Sequence, residues 1–107
     1  MTEKFFLLEL ENKIIEVLKS IFDPEIPVNI YEMGLIYEAF VDDEYIAHIK
    51  MTVTAPNCPV AETLPIEVHN KIKQINGIND VDVVMSFDPP WNPDMMTDAA
   101  KLELGIL

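Results

Sequence analysis

The sequence contains no arginine, one cysteine, one tryptophan and three glycines, and its seven lysines stand against nineteen aspartates and glutamates in 107 residues. Each scarcity excludes something. Without arginine there is no planar guanidinium fork to grip a phosphate or carboxylate through two bonds, which argues against nucleotide and coenzyme-phosphate binding. A formal charge of -12 repels nucleic acid and anionic membrane surfaces. One cysteine cannot close an intramolecular disulfide, and paired C-x-x-C metal motifs are absent, so a reducing, cytoplasmic setting is expected. The start of the chain shows no basic segment followed by a long apolar stretch, and the run Phe5 to Leu8 is far shorter than the roughly 20 residues a membrane span needs. So few glycines argue against low-complexity linkers or repeats. Half the residues are apolar, enough for one core, and residues 1–107 are expected to form a single domain.

Leu10, Ile14, Val17, Leu18 and Ile21 recur at helical spacing, which predicts an amphipathic helix over about Glu9 to Phe22. Phe5 to Leu8 either caps the core or begins that helix. Asp23-Pro24-Glu25-Ile26-Pro27 then breaks the pattern, because proline fixes its own backbone and restricts the residue before it. Leu35 to Val41 and Tyr45 to Val53 alternate in polarity around Asp42-Asp43-Glu44, the signature of a hairpin. Tyr45, Ala47, Ile49, Met51 and Val53 are expected to face the core. Ile36, Phe40, Ile46 and Val84 are placed on the opposite face of the sheet.

Val60, Leu64, Val68, Ile72 and Ile75 line a second helix reaching about Asn76, kinked or delayed by Pro65. Val81 to Phe87 supplies a third strand, so strand, helix and strand form a parallel crossover unit. A rigid loop, Asp88-Pro89-Pro90-Trp91-Asn92-Pro93, leads to a short final helix capped by Thr97 and stopped by Gly105. The expected class is α+β, in the order α-β-β-α-β-α, with helices layered on a small mixed sheet.

Cys58 lies between Asn57 and Pro59 at the expected start of the second helix, where free amides and the helix dipole favour thiolate over thiol. A thiolate binds metal or attacks an electrophile; an inert buried cysteine is the competing reading. A cysteine hydrolase would need a histidine beside the sulfur, and neither His48 nor His69 is well placed, so an enzyme is not expected. One chain cannot enclose a metal in thiolates. Two Cys58 side chains meeting in a homodimer, helped by Asp23 or Glu25 or by a small thiol, could hold a labile cluster. Thr52 and Thr54 end the strand before Cys58 and are either plain strand residues or residues whose hydroxyls hydrogen-bond the sulfur or the loop amides. Trp91 among prolines either closes the core or anchors a partner.

Four ordered motifs, Asp23-Pro24-Glu25-Ile26, Met33-Gly34-Leu35-Ile36, Met51 through Pro59 and Asp88-Pro89-Pro90-Trp91, resemble the metal-sulfur cluster assembly factors. That family includes SufT-like and PaaD-like proteins and the eukaryotic cytosolic cluster-targeting subunit, and the SufT-like branch is the closer comparison. The resemblance implies a two-layer fold similar to the C-terminal domain of the scaffold protein NifU. It also implies a role in maturing iron-sulfur proteins, with assembly proteins and recipient apoproteins as partners. The family's cysteine falls on Cys58 and its acidic loop on Asp23 and Glu25. A labile cluster or iron shared between protomers, not tightly bound, is the expected cofactor, and a metal-free adaptor linking clients to the assembly machinery is the alternative.

Overall fold

In the computed structural model, residues 2–22, 27–54 and 60–105 are described. Helix α1 spans Thr2–Leu18, strand β1 Ile36–Val41, strand β2 Ile46–Met51, helix α2 Val60–Lys73, strand β3 Asp80–Met85 and helix α3 Asp98–Glu103, with a short 3-10 turn at Pro93–Met95 before α3. The order α-β-β-α-β-α and the α+β class are as the hydrophobic periods predict.

The sheet runs β1-β2-β3. β1 and β2 pair antiparallel, while β2 and β3 pair parallel, with Ala47 opposite Val81 and Ile49 opposite Val83. Helix α2 supplies the crossover that a parallel pair requires. α1 packs on β1 and α2 on β3, so both helices cover one face. Leu10, Ile14 and Leu18 of α1, Ala47, Ile49 and Met51 of β2, and Leu64, Val68 and Ile72 of α2 form a common core. Each set follows its own period, 3.6 on the helices and 2 on the strand.

Several boundaries differ from the sequence reading. α1 starts at Thr2, not Glu9, so the Phe5 to Leu8 run begins the helix, and α1 ends at Leu18, before Phe22. α2 stops at Lys73 instead of Asn76, and it runs through Pro65 rather than starting after it. Helix residues 60–63 have no intrahelical acceptor for their amides in any case, so Pro65 removes a bond only just beyond the first turn. β3 ends at Met85, not Phe87.

Local backbone geometry decides the setting of two side chains. Tyr45 has φ 63 and belongs to the hairpin turn, yet it packs half-buried against the core as expected, its ring edge-on to Phe6 at 5.8 Å. Ile36 is opposite Met51, while Glu38 is opposite Lys50, so Tyr37 is an extra residue in β1. That bulge shifts the alternation, and Ile36 packs against the core instead of joining Phe40 on the outer face. Phe40, Ile46 and Val84 do share the outer face, because Phe40 is opposite His48 and Lys50 is opposite Val84.

Candidate functional site

Met33-Gly34-Leu35-Ile36, the described part of the third motif, residues 51–54, and Asp88-Pro89-Pro90-Trp91 converge at the end of the sheet where β2 and β3 finish. Past Met51, the Thr52 amide donates to the Leu35 carbonyl at 2.8 Å, and the Ser86 amide donates to the Met51 carbonyl at 2.8 Å. The Leu35 amide in turn donates to Ile30, and the Ile30 amide to Ile21 at 2.8 Å. A continuous run of main-chain bonds therefore joins the exit of α1, the Met33-Gly34-Leu35-Ile36 motif and the strand end that leads towards α2. Phe22 and Asn29 form an antiparallel bridge across the base of the acidic loop. The buried Asn29 accepts the Glu32 amide and donates to the Glu32 carboxylate, both at 2.9 Å, which fixes the following turn.

The proline-rich loop is fastened to the same place from the other side. Trp91 Nε1 donates to the Met33 carbonyl at 2.7 Å, and the Tyr37 hydroxyl donates to the Pro89 carbonyl at 2.7 Å. Met95 Sδ lies 3.7 Å from the same hydroxyl. Gly34 backs directly onto the Met95 main chain, so no side chain fits between them. The Thr97 amide bonds the Glu32 carbonyl at 2.9 Å, and its Oγ1 accepts the Ala100 amide to cap α3, as predicted. The Asp88-Pro89 bond is cis. Trp91 thus closes one end of the core, which is the first of its two expected roles.

Of the predicted site residues, Thr52 and Thr54 fall within the described structure. Thr52 is fully buried, and its Oγ1 approaches the Val53 carbonyl at 3.4 Å, a long and weak bond. Thr54 is half-buried one step nearer the loop. Cys58, Asp23 and Glu25 lie outside the described residues. Among the described residues, no three histidine, cysteine or acidic side chains cluster as a metal would need, and no buried side-chain polar atom lacks a partner.

The sequence reading missed two features. Tyr37 holds the proline-rich loop, yet nothing in its local pattern signals this, because its direction comes from the β-bulge. His48 is half-buried, its Nε2 2.7 Å from Asp42 and its Nδ1 3.7 Å from Asp82. The hydrogen bond from His48, with further bonds from the Ile46 and Glu44 amides, holds the Asp42 carboxyl below its ordinary range. His69 stays at the surface against Asn70.

A mixed sheet covered by helices on one face, with the Met33–Ile36 turn and the proline-rich loop fastened together at one strand end, defines a small two-layer α+β domain. Residues 11–85 match the family model described as iron-sulfur cluster assembly protein. The chain is 43% identical to a Porphyromonas gingivalis iron-sulfur protein maturation auxiliary factor, over 94% of this chain and 95% of that protein. It is 35% identical to the Bacillus subtilis maturation auxiliary factor YitW, over 91% of this chain and 95% of its relative. A crystal structure of a Bacillus anthracis domain of unknown function superposes with a TM-score of 0.87 at 31% identity, covering 97% of this chain and 99% of that one. The chain belongs to the iron-sulfur cluster assembly protein family.

Proposed function

We propose that the protein is a non-enzymatic maturation factor that helps deliver iron or an iron-sulfur cluster to recipient apoproteins, with Cys58 as a transient ligand to that cargo. The observation that carries this reading is the 43% identity to a maturation auxiliary factor across 95% of that protein's length. The geometry supports it through the bonds that bring three motifs to one strand end, from which the chain proceeds through Cys58 to α2. With one cysteine per chain, cluster ligation would draw on Cys58 of two protomers, on a small thiol, or on the carboxylates of Asp23 and Glu25. Such a mixed set binds less firmly than four thiolates, which suits handing on rather than storage. Assembly proteins and apoproteins are the partners in this reading. A cytoplasmic setting agrees with the lone cysteine, and among the described residues no helix is long and apolar enough to cross a membrane.

Anaerobic reconstitution with iron and sulfide tests the ligand role. The parent protein should gain visible absorption and bound iron, and Cys58→Ala should lose both. An unchanged cluster in Cys58→Ala would refute ligation and leave the metal-free adaptor reading.

A further inference from the structure

The outer face of the sheet, opposite the helices, carries a groove that the maturation reading does not use. Its volume is about 260 Å³ and it is lined by Glu38, Phe40, His48, Lys50, Asp82 and Val84. Open faces of small sheets are ordinarily polar. Here Phe40 is 44% exposed and Val84 49% exposed, leaving two large apolar groups in water on the outer face. The Phe40 ring stacks on His48 at 4.9 Å with the planes 21° apart, and Asp42 bonds the far nitrogen of that imidazole. The floor is therefore a stiff apolar platform, not a loose pair of side chains.

The charge around this platform is predominantly acidic. Glu38 and Asp82 stand at the groove itself, with Asp42 and Asp80 farther along the same face, and Lys50 is the cation of the lining. Lys73 bonds Asp80 at 3.2 Å from outside the groove. A second copy of the chain would bring the same acids and another formal charge of -12 against this face, and nucleic acid or an anionic membrane would be repelled in the same way. A partner with the opposite sign gains from Glu38 and Asp82, against the opposition of Lys50 alone in the lining.

We propose that this groove docks a segment of a partner protein in which a large apolar side chain is flanked by lysines or arginines. The apolar residue packs between Phe40 and Val84, and the flanking cations meet Glu38 and Asp82. Anchor and rim divide the work as in other protein interfaces: the buried apolar contact supplies affinity, and the charges supply selectivity and speed of encounter. None of the lining residues belongs to the Cys58 motif.

The probe is a synthetic helical peptide carrying one tryptophan between lysines, compared with versions flanked by serine and by glutamate. Amide chemical shifts in the NMR spectrum locate binding. The lysine peptide should perturb Glu38, Phe40, His48, Lys50, Asp82 and Val84, with affinity falling from lysine to serine to glutamate flanks and with rising salt. The double variant Glu38→Lys, Asp82→Lys should weaken the lysine peptide at least about tenfold. Glu9→Lys with Glu16→Lys, the same change in net charge on exposed positions of α1, should leave binding near the parent value. Should the reversed-charge pair fail to fold, Glu38→Gln with Asp82→Asn carries the test in the same direction. Equal binding of lysine and glutamate peptides, shifts located off this face, or equal loss in the α1 control would overturn the proposal. A sedimenting dimer abolished by Val84→Lys would also overturn it, by showing the face occupied by a second copy. Cys58→Ser should bind the peptide like the parent, so a failure of cluster ligation leaves this inference standing.

Discussion

Gly34→Ala is the substitution whose consequence the structure specifies most fully. Gly34 has φ +81, and a Cβ built there would overlap the Met95 carbonyl oxygen and lie 2.8 Å from its carbonyl carbon. The obstacle is main chain, so no rotamer change relieves it. The left-handed backbone alone costs an alanine about 1–2 kcal/mol. Pushing Met95 away also strains the Trp91 to Met33 and Tyr37 to Pro89 hydrogen bonds, each worth about 1 kcal/mol net. The sum is roughly 3–4 kcal/mol, a large share of the 5–15 kcal/mol that typically separates folded from unfolded domains. Gly105 is the internal control: its φ is +74, but nothing lies within 4 Å of the position a Cβ would take. Gly105→Ala should therefore show the backbone cost without the collision. Urea unfolding followed by circular dichroism should put the Gly34→Ala midpoint at least about 1 M below the parent, with Gly105→Ala losing less than half as much. Equal midpoints for the two variants would refute the claim that Gly34 is required by close approach to the proline-rich loop.

Thr52→Val keeps the shape of a fully buried side chain and removes only a 3.4 Å contact, so stability should change by less than about 1 kcal/mol. If the hydroxyl serves Cys58, the reconstituted cluster should bleach faster while the urea midpoint stays near the parent; a large midpoint shift would reveal a stronger structural bond than the geometry shows. Asp42 tests the hairpin turn. Its carboxyl is held below the ordinary range chiefly by the His48 bond, so its stabilising contribution is present above the unfolded value of about 4 and declines as pH falls through the lower folded value. Asp42→Asn should consequently be less stable than the parent at about pH 6, with the gap narrowing towards about pH 3. A gap that widens on acidification would contradict the assignment.

The helical and strand periods made the architecture legible because burial on one face repeats along each element: Leu10, Ile14 and Leu18 inside, Ala47, Ile49 and Met51 inside, Leu64, Val68 and Ile72 inside. Boundaries were less legible. Nothing in residues 2–8 repeats apolar and polar groups cleanly, so the helical period becomes readable only from about Glu9 although α1 begins at Thr2. The site was legible only as a set of separate motifs, with Cys58 singled out by its place before a helix and the roles of Asp23 and Glu25 resting largely on the family resemblance.

The order of elements, their inward faces, the caps at Thr97 and Gly105 and the family all follow from the chain alone, because they depend on neighbours in sequence or on motifs in register. Strand order, the reversal of Ile36 by the bulge at Tyr37, the collision surface behind Gly34 and the Phe40, His48 and Val84 platform were decided by tertiary structure. Each of these depends on contacts between separate segments of the chain, and a local pattern carries no information about which carbonyl or ring of another segment will be waiting.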